Sequence, residues 1–298
     1  MDSFRKVLII DNDNESLQLV IDHALTVKDS SDTEFHFLSC KPQEVPFISE
    51  ASPDRHKQFF HERKEERVNY LVQLAEEHIP ATHRVEIHDL WTHPPMEAIE
   101  LACELIKPDL LVKLSDPNHY SEFFHSRTLD YKLIKSCPTA LMLVRKDEFG
   151  DKKVLAAIDG GTQDNVKCEL NENILEWAES IAGSFGSLPS LISAHMTPIL
   201  DPAESYQNKT LRRYRQKVVE EQHENIQSLV KHRHFHLKDR HIVEGYIEDR
   251  INELVEKENY RLVVLGNHRN RGLRGHFVAN TAERLMERGK SDLLLVPY

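Results

Sequence analysis

The sequence predicts an α/β protein built from two tandem, doubly wound, five-stranded parallel sheets, each in the strand order 3-2-1-4-5. Three observations predict it. Short apolar runs alternate with longer amphipathic stretches. The runs are continuously apolar, as strands buried on both faces must be, and they end in turn residues. The whole pattern occurs twice: Val144 aligns with Val296, 152 residues on, and the same offset brings Leu110-Leu111-Val112 onto Leu262-Val263-Val264 and Ile99 onto Ile251. A chain of 298 residues has room for two such domains, predicted as 1–148 and 149–298 with the seam near Phe149-Gly150-Asp151.

In the first copy Val7–Ile10, Phe35–Leu38, Val85–Leu90, Leu110–Leu114 and Leu141–Val144 are the strands. Between the second and third, Ser52-Pro53 supplies an N-cap followed by proline at the first helical position. Val68, Leu71, Val72 and Ala75 then repeat at helical spacing. The second copy repeats this plan, with Asp201-Pro202 opening the matching helix and Val218, Val219, Ile226, Leu229 and Val230 carrying its apolar face. A β-α-β alternation of this kind closes by right-handed crossovers. In such sheets ligands sit beyond the carboxyl ends of the strands, where the strand order reverses. That singles out the loops after Asp11 and Asp159 and those after Leu114 and Gly266.

Composition narrows the function classes. Lys and Arg number 38 against 49 Asp and Glu, a net charge of −11 that opposes nucleic acid and anionic lipid. Apolar runs of about five residues fall far short of the ~20 of a membrane span, and no secretory leader pattern opens the chain. The four cysteines (Cys40, Cys103, Cys137, Cys168) are dispersed, as in a reducing cytoplasm, and read as small buried apolar residues.

The second copy carries the better ligand loops. Ala157-Ile158-Asp159-Gly160-Gly161-Thr162 places a carboxylate before two glycines, which permit a sharp turn and a close backbone approach. Gly266-Asn267-His268-Arg269 opens a loop that also holds Arg271, Gly272, Arg274 and Gly275 and leads to a helix expected to start near Asn280-Thr281. Glycines before a helix N-terminus suit an anion, and arginines add phosphate donors.

These residues resemble the universal stress protein family. Ala157-Ile158-Asp159-Gly160 is similar to the start of a family domain, and Gly266 through Thr281 to its phosphate loop, G-x2-G-x9-G-[S/T]. Trp91–Ile99, Asp130–Pro138 and Phe277–Glu283 resemble the tandem-domain branch. The resemblance implies an UspA-like fold, pairing of the two domains through Leu141–Val144 and Leu293–Val296 as an intramolecular pseudo-dimer, and a cytoplasmic stress-response role. It implies a site formed by Asp159, Gly160, Gly161, Thr162, Gly266, Asn267, His268, Arg269, Gly272, Ala279, Asn280 and Thr281, with ATP or another adenine nucleotide as the candidate ligand. Arg269 and Ala279 stand where glycines are expected and Asn280 replaces Ser or Thr, which weakens that expectation. In the first copy Leu114, Pro117, Arg127 and Thr128 occupy the four motif positions, so that half is expected to bind no nucleotide and to act as scaffold or partner surface.

No GxSxG, HExxH or Walker lysine motif is present, no catalytic residue is singled out, and the expectation is a non-enzymatic regulator that binds a small ligand or protein partners, or homodimerises. A slow ATPase or autophosphorylating protein and a carrier of an apolar ligand are the competing readings. His232, His234 and His236 alternate as on a strand face, but no further cluster converges with them, and no metal is expected. Lys209, Arg212, Arg213, Arg215 and Lys217 read as a solvated helix face, with Lys217 four residues before Glu221. His61–Arg67 is read in the same way.

Overall fold

A computed structural model describes residues 4–11, 16–27, 32–40, 53–91, 93–115, 129–145, 150–196, 209–235, 240–267 and 276–297. The chain divides into two units, Met1–Lys146 and Asp147–Tyr298. In the first, β1 (Lys6–Asp11), α1 (Leu17–Val27), β2 (Glu34–Ser39), α2 (Pro53–His78), β3 (Val85–Asp89), α3 (Pro95–Ile106), β4 (Leu110–Leu114), α4 (Leu129–Ser136) and β5 (Ala140–Val144) follow in turn. All pairings are parallel, in the order β3-β2-β1-β4-β5. The second unit holds β6 (Asp151–Ala157), α5 (Asn165–Ser184), β7 (Ser190–His195), α6 (Lys209–Val230), β8 (Arg240–Glu244), α7 (Ile247–Glu258), β9 (Tyr260–Asn267), α8 (His276–Arg288) and β10 (Asp292–Pro297). Its parallel order, β8-β7-β6-β9-β10, is the same 3-2-1-4-5 plan.

The apolar runs form the core as their composition demands. Val7–Ile10 and Leu110–Val112 in the first unit, and Val154–Ala156 with Val263 and Val264 in the second, are completely buried. Each large side chain so buried contributes about 1.5–3 kcal/mol, enough to offset the ~1–2 kcal/mol of backbone entropy lost per residue. On α1, Leu17, Val20, Ile21, Ala24 and Val27 recur at three- and four-residue spacing and all face inward. The repeat extends to helix ends: α3 stops at Lys107 and α7 at Asn259, 152 residues apart, both left-handed with φ of 52° and 58°.

Two apolar stripes differ in detail from their expected faces. On α2 Val72 is exposed and Leu74 takes its place inside with Leu71 and Ala75. On α6 Val219 is exposed, while Gln222 continues the buried line to Ile226 and Val230. In both cases adjacent apolar residues, Leu71-Val72 and Val218-Val219, span more of the helix circumference than the sheet covers. Ser52 and Asp201-Pro202 lie outside the described residues. His232 and His234 stand in the turn after α6, not on a strand, because β8 begins only at Arg240. That turn is fixed by Arg233, which binds Glu172 and Glu179 of α5, and by buried Phe235. His236 is outside the described residues. Lys217 does pair with Glu221, at 3.5 Å. Among the described residues no helix is long and apolar enough to cross a membrane.

Candidate functional site

Ala157 and Leu265 are register partners, so the chain leaves β6 and β9 at the same level of the second sheet. Ile158 prolongs the pairing by donating its N–H to the Ile192 carbonyl at 3.0 Å. Beyond it side chains replace the ladder. Asn171, a buried residue of α5, accepts from Asp159 N at 3.0 Å and donates to Asp159 O at 2.9 Å. Gly160 N donates to Ser193 Oγ at 3.0 Å, and Asn225 Nδ2 donates to Gly160 O at 3.2 Å. Thr162 Oγ1 accepts from Asp164 N, and Asp164 caps α5 by accepting from the amides of Val166 and Lys167. With the backbone of Asp159 and Gly160 bonded to α5, β7 and α6, the turn holds Asp159 in one place.

The glycines make room for packed side chains. A Cβ at Gly160 would lie 2.8 Å from Ile226 of α6, one at Gly161 would lie 3.1 Å from Gln222 Nε2, and one at Gly266 would overlap Leu170 of α5. They let α5 and α6 close over the strand ends.

Two groups at this level are differently placed. The Asp159 side chain is 47% exposed and bound to Lys167 Nζ at 2.9 Å, itself 46% exposed. Asn267 is only 2% exposed, yet among the described residues its Nδ2 has no hydrogen-bond partner. Because Gly266 faces α5, strand alternation turns Asn267 to the opposite face, where α7 and α8 pack. An unsatisfied buried amide costs about 1–3 kcal/mol, which an anionic or carbonyl oxygen would recover. Helix α8 starts at His276, four residues before the expected Asn280. Asn280 and Thr281 therefore lie in its second turn, and the amides without intrahelical acceptors are those of residues 276–279, Ala279 included. The run from His276 onward continues the helix because nothing in it is proline or glycine. His268, Arg269, Arg271, Gly272, Arg274 and Gly275 lie outside the described residues.

The same level of the first unit is filled by its own ions. Asp11, which arrives one residue earlier than Asp159, sits on β1 itself and is buried. Arg67 of α2 grips it through both Nε, at 2.7 Å, and Nη2. Lys113, buried within β4, pairs with Asp130 of α4 at 2.5 Å and donates to Leu114 O at 2.8 Å. Cys40 lies between these pairs, 3.8 Å from Asp11 O. Burial, aided by the Asp11 charge, pushes its thiol up to about 12, so it stays protonated and unreactive at neutral pH. Arg67 was expected on a solvated face with its neighbours. Its position four residues before Leu71 puts it on the buried side of α2 instead. Pro117, Arg127 and Thr128 are outside the described residues.

The model of the Universal stress protein family matches residues 151–297. Residues 151–297 thus form a universal stress protein domain. Over more of its length the chain is similar to Universal stress protein E of Photorhabdus laumondii, 25% identical over 241 residues that cover 78% of this chain and 74% of that protein. Universal stress protein E of Escherichia coli K12 is 24% identical over 245 residues, with the same coverage. Among solved structures, a putative universal stress protein from Pseudomonas aeruginosa UCBPP-PA14 covers 99% of this chain and 93% of its own at TM-score 0.72 and 21% identity. One from Archaeoglobus fulgidus covers 99% and 98% at TM-score 0.64 and 14% identity. These likenesses extend the universal stress protein fold across both units.

Proposed function

We propose that the chain is a cytoplasmic, non-enzymatic stress-response regulator that binds one small anionic ligand, with an adenine nucleotide as the favoured class, at the carboxyl ends of β6 and β9. The first unit serves as scaffold or partner surface. The observation that carries this reading is the contrast between the two aspartates. Asp11 and Arg67 are sealed, with side chains 1% and 14% exposed, whereas Asp159 and Lys167 are both near half exposed. An exposed ion pair is worth only ~0–1 kcal/mol, so a ligand displaces it at little cost. A buried one resists displacement. Asn267, buried at the end of β9 and without a hydrogen-bond partner among the described residues, supplies a donor at the same level of the sheet. The polar lining favours a charged ligand over an apolar one.

Calorimetric titration of ATP into the full chain tests this. One site per chain is expected. A hydrogen bond to a charged group is worth about 1.5–3 kcal/mol, so Asn267→Leu is expected to weaken binding roughly 10–100-fold. Absence of ATP binding by the wild-type chain, or equal binding by Asn267→Leu, defeats the proposal. Steady phosphate release that is lost in Asp159→Ala would replace the non-enzymatic part of it with the ATPase reading.

A further inference from the structure

Strands β2 and β3, the edge pair of the first sheet, each carry a carboxylate and an imidazole two residues apart: Glu34 and His36, Glu86 and His88. His36 pairs in register with Glu86, and Leu38 with His88, so all four side chains emerge on one face. His36 Nδ1 lies 3.0 Å from His88 Nε2, and Glu86 Oε2 lies 3.5 Å from the first nitrogen and 3.8 Å from the second. A point equidistant from these three atoms is about 2.0 Å from each, which is the length of Zn–N and Zn–O bonds. The triangle is therefore of the size that holds an ion, which would take the place of the hydrogen bond joining the two rings.

The surrounding groups orient this set. Glu34 Oε2 stands 3.5 Å from His36 Nε2, the nitrogen that faces away from the triangle, as the carboxylate does in a carboxylate–histidine–zinc arrangement. Arg84 binds Glu86 through its other oxygen, Oε1, and approaches Glu34 Oε1 at 3.6 Å. Both carboxylates are thus held with one oxygen turned to the imidazoles. His36 is buried, whereas His88 and Glu86 are about one-third exposed, so the position has a rigid floor and an open mouth.

We propose that His36, Glu86 and His88 form a Zn²⁺ site on the edge of the first unit. Two imidazoles and a carboxylate leave a fourth position for water or another ligand, and the ion ties the edge strand β3 to β2. Two strands already joined by a hydrogen-bonded ladder present the ligands, so little ordering is needed on binding.

The test uses the full chain without a histidine tag. The protein is loaded with Zn²⁺, desalted, and assayed for retained metal, and affinity is measured in competition with a chromophoric chelator. One zinc per chain is expected. His88→Ala and Glu86→Gln, both at partly exposed positions, are expected to lose it, and Glu34→Gln is expected to weaken binding by ~10–100-fold. His232→Ala/His234→Ala is expected to retain the full equivalent, since those side chains lie in a different turn. Zinc is also expected to raise the melting temperature of the wild type and not that of His88→Ala. A wild-type chain that retains no zinc overturns the proposal. So does zinc held undiminished by both His88→Ala and Glu86→Gln, or zinc lost from the His232/His234 variant.

Discussion

Lys113→Met destabilises the first unit by about 3–5 kcal/mol, because it removes the cation of a buried ion pair. That is a large part of the ~5–15 kcal/mol that holds a domain folded. The second unit indicates how the loss is reversed. At the 152-residue offset Lys113 and Asp130 correspond to Leu265 and Ala282, both buried and apolar. Lys113→Leu/Asp130→Ala is therefore expected to fall within about 1–2 kcal/mol of wild type, since well-packed apolar residues often replace a buried ion pair without net cost. The chain has two tryptophans, Trp91 in the first unit and Trp177 in the second. Urea unfolding followed by fluorescence in a Trp177→Phe background reports on the first unit alone. A single variant as stable as the parent would mean that the pair is not the lock it resembles.

Arg67→Ala has the second large effect, roughly 3 kcal/mol in the same assay, for the same reason at Asp11. Arg67 also stacks on Tyr70, its guanidinium 4.6 Å from the ring centroid, so packing is lost with the charge. Arg67→Lys restores only part of the loss, because an ammonium cannot reproduce the two-point grip on Asp11. The matching change in the second unit, Lys167→Ala, costs under ~1 kcal/mol, the Asp159 pair being exposed to solvent. Equal costs for Arg67→Ala and Lys167→Ala would remove the distinction between a sealed and an open strand end.

The sheets were readable because a strand buried on both faces must be continuously apolar, and runs such as Leu141–Val144 admit few other states. The repeat then carried the order from one copy to the next. Helix phase was less legible: neighbouring valines at 218 and 219 both look like core, and only the packed sheet decides between them. Gly160 and Gly266 were visible as positions where a side chain is forbidden, but the sequence does not say whether the obstacle is a ligand or, as here, Ile226 and Leu170. Arg67 was hidden within a run of charges on the same helix. Lys113, by contrast, stands alone in an apolar strand, and that isolation already signals a buried partner. Asn171 is equally hard to read, because its role depends on a strand end 12 residues away. The paired Glu-x-His segments on β2 and β3 become a cluster only once the strands are known to be neighbours, since 52 residues separate His36 from His88.

Photo-crosslinking with 8-azido-ATP, followed by peptide mapping of the full chain, tests most directly whether the second unit alone keeps an open strand end. Labelling that ATP competes away, confined to peptides spanning residues 157–171 and 260–281, is the expected result. Competed labels on residues 6–16 or 110–130, at equal or greater yield, would contradict it.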